Sequence, residues 1–120
     1  VRRLVGSEMC IRDSVIAAEV AAAQRAADAA VDCIGGERFL IEVAAGKARV
    51  GEAVGIVAEQ THQIHGAMGF THEHQLHHFT RRLWAWRDEW GSESYWQRRL
   101  GEWLSKQGPD KLWASLATPG

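Results

Sequence analysis

Six histidines fall between positions 62 and 78: His62, His65, His72, His74, His77 and His78. His74 and His78 stand four residues apart on one helical face, a workable spacing for a shared metal ion, with Glu73 beside them. His-Glu-x-x-His is absent, and a site would need further ligands from elsewhere. A solvated helix face or a subunit contact explains the cluster as well, so no metal is expected. A second string, Gln63-Ile64-His65-Gly66-Ala67-Met68-Gly69-Phe70, places glycines where a long helix gives way to the next. A glycine-rich break of this kind can expose backbone N–H groups and let a phosphate or pyrophosphate come close.

The elements that must hold these residues read as helices throughout. Residues 15–34 are alanine-rich with few β-branched residues; Ser14 suits an N-cap and Gly35-Gly36 a stop. A second helix is expected over about 37–65, with Val43, Val50, Val54, Val57 and Ile64 on one face. Gly46, Gly51 and Gly55 lie inside it, and an interior glycine costs about 1 kcal/mol relative to alanine. Close approach of neighbouring helices is the expected reason for them. A third helix is expected from about 71 to 86 with an apolar stripe of Leu76, Phe79, Leu83 and Trp86. A fourth starts at a Ser92 cap and carries Trp96, Leu100, Trp103 and Leu104 until Gly108-Pro109 stops it. Residues 110–116 suit one short helix. No stretch alternates with period two, so no strand is expected.

Composition excludes several classes. Of the 120 residues, 46% are hydrophobic and 24% charged, and Lys+Arg 14 against Asp+Glu 15 gives a net charge of −1. That balance argues against a nucleic-acid specialist. Trp84, Trp86, Trp90, Trp96, Trp103 and Trp113 could stack on bases, but acidic residues interleave the nearby arginines. No apolar run is long enough for a membrane span. Two cysteines, Cys10 and Cys33, imply no disulfide scaffold and suit a reducing, cytoplasmic compartment. Trp84 and Trp86 are two apart, so one helix cannot bury both on the same face, and a surface outside this chain's own core is expected to meet one of them.

Residues 1–14 show no helical or strand period, and residues 4–14 resemble translated sequencing-adapter sequence. They are set aside as a non-native leader, with the domain proper at 15–120.

Gln63-x-x-Gly66-Ala67-x-Gly69-Phe70-Thr71-x-Glu73, followed by Leu76 and Arg81-Arg82, resembles the C-terminal domain of flavin-dependent acyl-CoA dehydrogenases. Ala45, Lys47, Ala48 and Ala53 upstream suit the same family. Ala67 stands in place of the family's second glycine, and Arg82 in place of its usual aspartate. The resemblance spans about residues 15–104. It implies an all-α antiparallel helical bundle of three to four helices, an incomplete copy of the family's C-terminal four-helix domain. It also implies FAD as cofactor, an acyl-CoA substrate and a neighbouring subunit, identical or not. Carried over, Gln63, Gly66, Ala67 and Gly69 would contact FAD held mainly by that neighbour. The implied reaction is α,β-dehydrogenation of a thioester, with the fragment inactive alone.

The resemblance also implies a base just before a glycine, one helix beyond the Gln motif. Counted without gaps from Gln63, that position falls on Trp90, with Glu89 one residue early. One residue turns a helical side chain by about 100°. Glu89 is therefore the candidate catalytic base beside two alternatives: a base upstream, or none. Glu89 paired with Arg82 or Arg87 on a solvated surface is the plain structural reading. Two rival functions stay open, a silent subunit completing a partner's flavin site and an unrelated helical interaction module.

Overall fold

Alanine gives the first helix its length, and glycines, serine and proline punctuate the later elements. In the computed structural model the elements are α1 (Arg2–Asp32), α2 (Phe39–Met68), α3 (Glu73–Asp88), α4 (Glu93–Gln107) and α5 (Pro109–Ala117). The structure describes residues 2–68 and 73–117, with side chains for 8–66 and 75–117. No strand occurs among the described residues, and the fold is the expected all-α bundle. Gly35, at φ 85°, closes the turn after α1. Ser92 caps α4, its hydroxyl oxygen accepting from the Tyr95 N–H at 3.4 Å. Pro109 opens α5, where a missing N–H costs nothing. Cys10 and Cys33 are free thiols.

The start of α1 differs from expectation. Ser14 does not cap a helix. It lies inside α1, and its hydroxyl donates to the Cys10 carbonyl at 2.8 Å. Residues 2–14 continue the helix without an apolar stripe of their own, because helical propagation from the alanine-rich segment needs no amphipathic period.

α2 is the centre of the bundle and touches α1, α3 and α4. Arg12 meets Gln60 at 2.8 Å, Arg49 meets Glu19 at 2.6 Å, and Gly46 faces Ala26, so α1 and α2 run antiparallel. Gly51 lies against Glu93 while Leu40 and Ala44 lie near Trp103, so α4 also runs antiparallel to α2. His62 opposite Thr80 and Lys47 opposite Arg87 give α3 the same sense.

The buried face of α2 is not the valine face. Among the described residues the buried hydrophobic side chains are Ala44, Ala53 and Ala58, each 4% exposed, and no large side chain is fully buried. Small residues win because they let backbones approach. A Cβ on Gly46 would stand 3.3 Å from the Ala26 carbonyl oxygen, and one on Gly51 only 2.9 Å from Glu93 Cβ. Gly55 is less constrained, with Arg87 Nη1 at 3.9 Å as its near neighbour. Val50, Val54 and Val57 instead line an open trough of about 390 Å³ with Val20, Ala27 and Leu83. On α3, Thr80 is buried at 2%, while Phe79 (60%) and Trp86 (58%) of the expected stripe face outward. Trp84 is also exposed, so neither tryptophan of the pair is buried within this chain. The radius of gyration is 17.6 Å. A compact domain of this length would have about 14 Å. The helices pack loosely and leave the apolar trough between α1, α2 and α3 open.

Candidate functional site

Three groupings bear on chemistry, and α2 contributes to each. The first is its C-terminal end. α2 continues through Gly66 and Ala67 to Met68, so the break expected at 66–69 does not begin at Gly66. The Gly66 N–H lies within helix, and a helix C-terminus presents carbonyls and a partial negative charge rather than free donors. An N–H cradle for phosphate therefore does not form at Gly66. The face itself is open. Gln63 and Gly66, three residues apart, are both exposed, and among the described residues a Cβ on Gly66 would meet nothing within 4 Å. The Gln63 amide donates to Glu59 at 3.4 Å and accepts from the Arg12 guanidinium, which also bonds Gln60 and Glu8. The side chain of Ala67, and Gly69 altogether, lie outside the described residues.

The second grouping is the histidine region. Thr80 Oγ1 donates to the Leu76 carbonyl at 2.9 Å, which commits its single proton. His62 Nε2 lies 2.9 Å from Thr80 Oγ1, a hydrogen bond that joins the two helices. His77 packs on His62 with ring centroids 4.6 Å apart. These contacts fasten α3 to α2 rather than converge on a cation. Among the described residues no group of three or more His, Cys, Asp or Glu could hold a metal ion. The side chain of His74 lies outside the described residues.

The third grouping is the α3–α4 turn. Glu89 follows the last residue of α3, its N–H bonded to the Ala85 carbonyl at 3.1 Å, and it is exposed. Arg87 pairs with Asp88 at 3.6 Å, and among the described residues no ion pair involves Glu89. Trp90 takes φ 63° and is 83% exposed. A bulky residue with positive φ is a true backbone outlier. Gly91 follows at φ 101°, pressed so close to Tyr95 that a Cβ would stand 2.7 Å from its ring. Lys47 and Trp96 grip the turn from α2 and α4, and the sequence singled out neither for that role. The only hint for Lys47 is a charge set among Ala44, Ala45, Gly46 and Ala48, where the helix must pack closely.

Fold and site together define an all-α antiparallel bundle that offers surfaces rather than an enclosed catalytic cavity. The family model for the acyl-CoA dehydrogenase C-terminal domain matches residues 13–102, and the chain belongs to that family. The match begins one residue before Ser14 and takes in both the Gln63 face and the Glu89 turn. Comparison with curated proteins and with solved structures finds no match. No described helix is long and apolar enough to cross a membrane.

Proposed function

We propose that this chain forms the cofactor-contacting and subunit-contacting C-terminal part of an FAD-dependent acyl-CoA dehydrogenase. The observation that carries the reading is the open face of α2 at Gln63 and Gly66. Among the described residues no atom stands within 4 Å of where a Gly66 side chain would be, which suits a molecule lying directly on its backbone. Gln63, one turn earlier on that face, carries an amide donor and acceptor that a ligand would take over from Glu59 and Arg12. These residues fit an adenosine–pyrophosphate edge through side-chain hydrogen bonding and close van der Waals approach, in place of an N–H cradle. When bound, FAD supplies the hydride acceptor at flavin N5.

The proton is the protein's task. Glu89 is positioned at the end of α3 to take the proton α to the thioester carbonyl as the β-hydrogen leaves as hydride. A carboxylate base needs water excluded, and Glu89 is exposed in this chain. Its cover must come from substrate or from another part of the assembly. The apolar trough along α1, α2 and α3, with outward-facing Trp84 and Trp86, suits such an assembly. Acyl-CoA and a neighbouring dehydrogenase subunit are the partners, and a reducing, cytoplasmic compartment suits two unpaired thiols.

One observation favours a second reading. Trp90 occupies the register of the family's glutamate and projects from the turn at 83% exposure, as a catalytically silent subunit would have it. Acyl-CoA turnover with an artificial electron acceptor in the full-length protein separates the two. Turnover above background supports the enzyme. Bound FAD without turnover supports the silent subunit, and absence of FAD rejects both.

A further inference from the structure

We propose that Lys47 is a positioning residue for the dehydrogenation: it holds the α3–α4 turn in the geometry that sets Glu89 at the reacting surface. The inference rests on the reading of that turn as the edge of the acyl-CoA site. Lys47 Nζ lies 2.7 Å from the Glu89 carbonyl oxygen, 3.1 Å from that of Arg87 and 3.5 Å from that of Trp86. An ammonium has three donors and no acceptor. Here three backbone carbonyls take them, and among the described residues no carboxylate forms an ion pair with Lys47. The last carbonyls of a helix have no partner within it and carry its negative dipole end, so a buried-side cation is their natural counterpart. Lys47 is half-buried and lines a small cavity of about 130 Å³ with Val50, Gly51 and Leu83.

The next carbonyl along the turn is held from the opposite side. Trp96 Nε1 donates to the Trp90 carbonyl at 3.0 Å. Residues 86–90 are thus fastened by α2 through Lys47 and by α4 through Trp96. Such fastening matches the strained backbone of Trp90, because a disfavoured conformation persists only where its surroundings over-determine it. An ordinary surface turn needs neither clamp. A turn that must keep one carboxylate within an ångström of a reacting proton needs both.

Lys47 also shares its helix with Gln63. Sixteen residues of helix separate them by about 24 Å, so α2 links the turn to the cofactor face as one rigid element.

The test uses the full-length enzyme and four variants: Lys47→Met, Lys47→Arg, Glu89→Gln and the Met/Gln double variant. Lys47→Met should lower kcat roughly 10–100-fold with little change in KM or flavin content. Lys47→Arg, which keeps a cationic donor, should recover most of that loss. In the Glu89→Gln background Lys47→Met should add little, since both act through one group. A kcat within twofold of wild type in Lys47→Met, or a full additional loss in the double variant, overturns the proposal. Normal turnover in Glu89→Gln instead rejects Glu89 as the base; a loss in Lys47→Met rescued by Lys47→Arg then still assigns the clamp to Lys47. Should the wild-type subunit lack turnover, hydrogen exchange of the Trp96 indole N–H decides. It should quicken at least tenfold in Lys47→Met, and unchanged protection overturns the clamp.

Discussion

The two ends of α2 are built in opposite ways. Towards its start, Lys47 and Gly51 bring the α3–α4 turn and the first turn of α4 so close that a single added carbon would collide. Towards its end, Gln63 and Gly66 are exposed, and among the described residues nothing stands within 4 Å of a Cβ on Gly66. The first region is finished by the chain's own atoms. The second is, on the proposed reading, the cofactor's face. A glycine therefore means two different things on one helix: close packing at Gly51, and exposed backbone at Gly66.

Substitutions can break this contrast, and the largest effect belongs to the finished end. Glu89→Gln keeps the shape of the side chain but removes the base, so kcat should fall by about 10²–10⁴ with FAD retained. Near-normal turnover in the full-length enzyme eliminates Glu89. Next comes the same substitution at both glycines. Gly51→Val should destabilise the fold by about 1–3 kcal/mol through overpacking against Glu93, read as a lower denaturation midpoint. Gly66→Val should leave that midpoint nearly unchanged while flavin is lost on purification. If Gly66→Val retains flavin fully, the open face has no cofactor role.

Gln63→Ala should weaken flavin binding by about 0.5–1.5 kcal/mol, one hydrogen bond's worth, measured as a rise in the FAD dissociation constant. The smallest effect is expected at Arg12. Its partners Glu8 and Gln63 are exposed, so Arg12→Ala should change stability by less than about 1 kcal/mol. By freeing the Gln63 amide it should leave flavin binding equal or tighter. Weaker binding would instead make Arg12 part of the cofactor face and count against treating residues 1–14 as a foreign leader.

Much of the fold is legible in the residues. Ser92 capping α4, Gly35 ending the turn after α1 and Pro109 opening α5 reflect local chemistry, because each acts on backbone groups within a few residues of itself. Gly46 and Gly51 signal close helix approach for the same reason that they are poor helix formers: nothing else justifies them. The burial pattern is less legible. The valines of α2 have the right spacing for a core but line the trough, and Phe79 and Trp86 face outward. Periodicity marks an apolar face without saying whether this chain covers it.

The candidate site divides along the same line. Gln63 and Gly66 stand out by residue type and spacing in the sequence, and Glu89 only through the family resemblance. That Gly66 is still helical, and so cannot offer an N–H cradle, depends on how far α2 runs. That Lys47 reaches the carbonyls of Trp86, Arg87 and Glu89, some forty residues away, depends on α2 and α3 packing antiparallel. The helices, most of their end signals and the family can be read along the chain, because they rest on short-range chemistry and on motif spacing. Which faces are covered and which turn is clamped cannot, because those contacts join residues far apart in the chain and exist only once backbones have approached.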